Sequence, residues 1–201
     1  MIPPRGDCIY LTHPQVEIDP AVPVPDWGLS EAGFRRARAG AVLPDFSRVR
    51  HVVSSAERKA RQTAEILAGH LGLTIIVDEL MHENDRSATG FLPPPEFESV
   101  ADRFFASPDE SVRGWETARA AQTRICGRVL AHLDRIPADE TVLFVGHGGV
   151  GTLLKCHVGG LAIDRRHDQP PGGGGCFFAF PRAALADCNA GGLDWRSIAD
   201  C

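Results

Sequence analysis

Two apolar runs of strand character each end in a histidine: Asp7-Cys-Ile-Tyr-Leu-Thr-His13 and Thr141-Val-Leu-Phe-Val-Gly-His147-Gly-Gly. In open α/β sheets ligands bind at the carboxyl ends of strands, so two imidazoles delivered to that edge from opposite halves of a chain form a candidate pair. Neutral imidazole is available near neutral pH, with an ordinary pKa of about 6.5, and can serve as nucleophile, acid or base. His147 sits among glycines at the expected start of a helix. There the backbone N–H groups, including that of Gly148, and the positive helix end favour an anion, and the missing side chains permit close approach.

A third segment, Val52-Val-Ser-Ser-Ala-Glu-Arg-Lys-Ala-Arg-Gln-Thr-Ala-Glu-Ile-Leu67, reads as a short strand, a serine cap and an amphipathic helix. With Gly28-Leu-Ser30 and the Glu83 that follows the next apolar run, the order and spacing over residues 8 to about 180 resemble the histidine phosphatase superfamily, related to the cofactor-dependent phosphoglycerate mutases. The resemblance implies a phosphomonoester hydrolase with no metal and no organic cofactor. His13 would be the residue that becomes phosphorylated, His147 a donor to a phosphate oxygen, and Glu83 the acid that protonates the leaving group and later takes a proton from water. A small phosphorylated substrate or a phosphoprotein would be the partner.

The family's Arg-His-Gly is Thr12-His13-Pro14 here, and Lys59 stands where its helix supplies a second pocket arginine. Thr12 offers one hydrogen bond and no charge, Pro14 removes an N–H, and Lys59 replaces a planar fork with a point donor. Removing one oxyanion donor costs on the order of 10²- to 10³-fold in rate, so compensation is expected from Arg58, Arg61 or, preferably, Arg86. The second functional class consistent with these losses is a binding module that keeps the fold and pocket without turnover. Hydrolysis through Ser54 or Ser55 has little support, because no Gly-x-Ser-x-Gly elbow is present and Ser55 reads as a helix cap.

Several elements must position these groups. Ser30 caps a helix running to about Val42, which Pro44 closes; strands are expected at 51–54, 73–77, 141–145 and 176–180, with an edge strand over 194–198. Helices are expected over 55–71, about 115–133 and about 149–158. Strands alternating with helices predict an α/β fold, a mainly parallel open sheet with helices on both faces, in a single domain. Residues 84–113 read as a lid or helical insertion, with Phe91, Leu92, Phe97 and Phe104 as an apolar wall or ordinary core. The Gly172–Gly175 run reads as a flexible turn rather than a phosphate loop.

Composition bounds the partners. Lysine and arginine number 21 against 26 acidic residues, a net charge of −5, which argues against nucleic-acid binding. The six cysteines show no C-x-x-C spacing, no metal-ligand spacing is visible, and no apolar stretch reaches membrane-spanning length. A cytoplasmic location is expected. Oligomeric state is not encoded in any pattern.

Overall fold

The computed structural model describes residues 6–198; residues 1–5 and 199–201, with Cys201, lie outside them. Six strands form one sheet: β1 (Cys8–Thr12), β2 (Val49–Ser55), β3 (Ile75–Asp78), β4 (Thr141–Gly146), β5 (Cys176–Phe180) and β6 (Arg196–Ser197), in the order β3-β2-β4-β1-β5-β6. The first four are parallel, while β5 and β6 add antiparallel pairs at one edge. The expected mixed and mainly parallel α/β sheet is therefore present.

Alternation along the strands divides the core. Ile9, Leu11, Val52, Leu143, Val145 and Phe177 point toward α1 (Glu31–Ala41) and α2 (Arg58–Leu71). Cys8, Tyr10, Val53, Val142, Phe144 and Phe178 point to the opposite face, against α4 (Ala118–Leu133) and α5 (Gly148–Val158). The inserted segment contributes α3 (Pro94–Ala106), whose Val100, Phe104 and Phe105 join that second cluster with Trp115. A short α6 (Ala184–Asp187) completes the helices.

Local chemistry accounts for most boundaries. Ser30 accepts the Gly33 N–H and caps α1, as its sequence position predicts. Gly72 ends α2 with φ 69° and lets Leu73 N–H bond back to Ala68 at 2.9 Å, so β3 starts at Ile75 rather than Leu73. Thr117 caps α4, which shortens that helix at its start and leaves Trp115 as a buried core residue. Ser55 is a correction: it ends β2, and Glu57 occupies the cap position of α2 without a side-chain cap bond.

The glycine run is also different from its expectation. Gly172, Gly173, Gly174 and Gly175 all have positive φ, from 140° to 69°, and the turn is held rather than loose. Arg36 donates to the carbonyls of Gly172 and Gly174, Gln15 donates to Gly172, and Gly175 N–H bonds the His13 carbonyl at 3.0 Å. A Cβ on Gly174 would stand 2.2 Å from that carbonyl oxygen. Gly174→Ala is expected to cost about 1–3 kcal/mol in urea unfolding; an unchanged midpoint would show that the turn can relax.

Candidate active site

The register of β1 on β4 sets the site. Thr12 lies opposite Gly146, and the His13 N–H bonds the Gly146 carbonyl at 3.0 Å, so both chains leave the sheet together. The following imidazoles, His13 and His147, meet edge to face with ring centroids 5.3 Å apart. Tyr10 fixes the second strand end: its hydroxyl accepts the His147 N–H at 3.0 Å and donates to the His147 carbonyl at 3.2 Å. Gly146 is required there, because a Cβ would come 2.3 Å from that hydroxyl.

A hydrogen bond assigns the proton of the first ring. The Pro14 carbonyl can only accept, so the 2.8 Å contact with His13 Nδ1 makes Nδ1–H the donor and leaves a lone pair on Nε2. Ser55 Oγ accepts the Glu57 N–H at 3.3 Å and lies 2.9 Å from His147 Nε2. A serine hydroxyl both donates and accepts, so this contact holds Nε2 in either tautomer and leaves Nδ1 as the other ring nitrogen. That buried nitrogen has no partner among the described residues. Burial lowers both rings to about 4; for His13 the Lys59 ammonium adds to this, whereas for His147 the carboxylates of Glu57 and Glu83 oppose it. Both imidazoles are therefore neutral at pH 7.

Glu83 lies at the start of α5, as the pairing requires, and its carboxylate caps that helix. It accepts from Gly149 N–H at 3.0 Å and Val150 N–H at 2.9 Å. Gly148, whose N–H has no hydrogen-bond partner among the described residues, lines a cavity of about 660 Å³ together with His13, Glu83, Asn84, Arg86, Gln169 and the glycine turn. Arg124 of α4 holds the loop that carries Glu83 by donating to the carbonyls of Leu80, His82 and Glu83, while pairing with Glu116.

The other expected anion ligands are distributed unevenly. Arg86 lines the His13 cavity, with its guanidinium 5.0 Å from the Phe97 ring centroid and no hydrogen bond among the described residues. Lys59 is buried and ion-paired with Glu57, and it donates to the Val24 carbonyl at 2.9 Å. Thr12 is fully buried, its hydroxyl donating to Gln169 at 2.7 Å and accepting from Cys176 N–H at 3.0 Å. Arg58 leans on the loop before α1, its guanidinium 3.5 Å from the Asp26 carbonyl, and Arg61 faces outward toward Glu65.

Ser55, Glu57, Asn84 and Gln169 escape the sequence reading. Ser55 and Glu57 stand at a strand-to-helix junction, where a hydroxyl and an acid already have a local explanation. Their roles depend on His147, about ninety residues away in sequence. The Asn84 amide nitrogen is buried, has no partner among the described residues, and belongs to a residue lining the same cavity as His13. No spacing rule would have marked it.

A family model described as the histidine phosphatase superfamily (branch 1) matches residues 13–172. The chain belongs to this superfamily. Among curated relatives, the probable phosphoglycerate mutase GpmB of Yersinia pestis is 30% identical over 142 residues, covering 67% of this chain and 65% of that protein. The match thus spans about two thirds of the length of each. The mycobacterial glucosyl-3-phosphoglycerate phosphatase with inorganic phosphate superposes with a TM-score of 0.74 at 20% identity, covering 98% of this chain and all of that one. An Entamoeba histolytica phosphoserine phosphatase bound to 3-phosphoglyceric acid gives 0.72 at 16% identity, covering 95% and 96%. These distant likenesses establish the histidine phosphatase fold. No helix among the described residues is long and apolar enough to cross a membrane.

The depressed imidazoles give a signed expectation. Their unfolded value is about 6.5, so as pH falls from there toward about 4 the unfolded chain takes up protons that the folded chain refuses, and stability falls across that window. In proton NMR the His13 and His147 ring signals should stay flat from about pH 8 to about 5.5. Titration of either near its ordinary value would contradict the packing described.

Proposed function

We propose that this member of the histidine phosphatase superfamily is a phosphomonoester hydrolase that works through a phosphohistidine on His13. The observation that carries it is the pair of neutral rings 5.3 Å apart, with the unpartnered Gly148 N–H lining the same cavity as His13. His13 Nε2 attacks phosphorus and the ester P–O bond breaks. The Nδ1–H bond to Pro14 spreads the charge that the ring acquires. Gly148 N–H and His147 Nδ1–H donate to the equatorial oxygens, and Arg86 supplies the cation that Thr12 does not. Water then attacks the phosphohistidine and releases phosphate. The chemistry invokes neither a metal nor an organic cofactor.

Glu83 is assigned the proton for the departing alkoxide and the return of a proton from water. Its carboxylate spends two acceptor sites on α5, so the proton has to occupy a remaining lone pair or displace one of those bonds. Residues 84–113 act as a partial lid: α3 lines the cavity, and Arg165 of the facing turn pairs with its Glu98 and Asp102. Small phosphorylated metabolites are the favoured substrates. The mutase and phosphatase names of the relatives support that class without choosing within it.

One observation favours a second reading, a phospho-ligand module without turnover: Thr12 and Lys59 both have their polar atoms committed inside the protein. Hydrolysis of an aryl phosphate between about pH 5 and 8 separates the two. His13→Ala should lower kcat by at least about 10³-fold and remove an acid-labile phosphate from the quenched wild-type protein. Vanadate binding with no turnover would favour the module.

The acid is tested by leaving-group dependence. Glu83→Gln should slow alkyl phosphates by about 10²-fold or more while sparing nitrophenyl phosphate, whose leaving group needs no proton. Equal losses on both would remove Glu83 from that role.

A further inference from the structure

The chain has 19 arginines and only two lysines, Lys59 and Lys155, both buried. Lysine at position 59 therefore stands out against a composition in which arginine is the usual cation. Its partner is unusual as well. Glu57 is 8% exposed, and its carboxylate has three neighbours drawn from three elements. One oxygen is ion-paired with Lys59. The other accepts the Glu83 N–H at 2.9 Å and lies 3.5 Å from His147 Nε2.

We propose that Glu57 is the positioning residue of this site: its carboxylate fixes the Lys59 ammonium beside the two imidazoles and, through the Glu83 N–H, anchors the loop that carries the acid. The inference rests on the phosphatase reading for its catalytic consequence, but the placement of Lys59 stands on geometry alone. A buried ammonium needs an opposite charge to remain protonated, and the Val24 carbonyl by itself supplies none. The charged and titratable groups around the pair are His13 at the end of β1, His147 between β4 and α5, and Glu83 and Arg86 on the loop after β3. With both rings neutral, Glu57 is the carboxylate in direct contact with Lys59.

This arrangement also gives a physical reason for lysine rather than arginine at 59. The ammonium carries its donors in a compact head, and two of them reach Glu57 and Val24. A guanidinium held by the same two acceptors would need a wider space between them.

With only two lysines, ¹⁵N-detected side-chain NMR follows Lys59 directly in the intact protein. In wild type the Lys59 ammonium protons, held by Glu57 and the Val24 carbonyl, should exchange slowly with water, and in Glu57→Gln that exchange should speed up by about tenfold or more. Turnover of nitrophenyl phosphate by Glu57→Gln should fall by about tenfold or more. Glu57→Asp, which keeps the charge on a shorter arm, should recover part of both and serves as the readout if Glu57→Gln does not fold. Unchanged proton exchange at Lys59, or a loss of kcat that Glu57→Asp does not recover in part, would overturn the proposal. Wild-type protein without His13-dependent turnover would sink the phosphatase reading instead, and the exchange at Lys59 would still decide the role of Glu57.

Discussion

Parallel pairing of β1 with β4 is the constraint on which the site depends. Thr12 faces Gly146 and His13 N–H bonds the Gly146 carbonyl, so the two imidazoles emerge at one level of the sheet edge. A shift of one residue in that register would turn one ring into the core on the other face. The strand order reinforces it. From β1 the chain crosses over β4 to reach β2, and β4 later fills the gap, which creates the crevice where open α/β sheets bind ligands. Tyr10 then locks the backbone of His147 from within the core, which is why Gly146 and Gly151, both crowded by its ring, have no room for side chains.

Electrostatics inside the crevice differ from a simple array of cations. Burial alone would push the Glu57 carboxyl up, yet the Lys59 ammonium and the Glu83 N–H hold it well below the usual carboxylate range. Glu83 is held by helix N–H groups, and both rings are neutral. Of the fixed positive charges there, Lys59 is paired with Glu57 and Arg165 with Glu98 and Asp102, while Arg86 lies over the Phe97 ring. Binding of a phosphoryl group has to draw mainly on preorganised N–H donors, whose value is greatest where water is excluded.

Much of the scaffold was legible from periodicity and punctuation. The buried stripe of α2, the cap at Ser30, the stop at Gly72 and the central apolar strands all follow from local rules, and His13 and His147 could be paired because each closes a patterned strand, whereas Glu83 was reached only through the family resemblance. Ser55 was misread for a physical reason. A serine before a helix has a sufficient local role as a cap, and only the approach of β4 reveals that its hydroxyl faces His147 instead. Thr12 and the glycine run show the same limit. A hydroxyl next to a histidine looks available until Gln169 arrives from more than 150 residues away, and four glycines look loose until Arg36 and Gln15 bind their carbonyls.

The amino-acid sequence by itself determined the order of elements, the two faces of the sheet and the residue types able to move a proton or attack phosphorus. Those properties are local: they depend on a period of two or 3.6 residues, a cap, or a side chain's own chemistry. Tertiary structure alone decided that Ser55 faces His147 and that Glu57 brings Lys59, Glu83 and His147 together. Each of these is a property of a pairing across long sequence separation, and a pairing in a dry interior sets charge and proton position in a way that no single segment encodes.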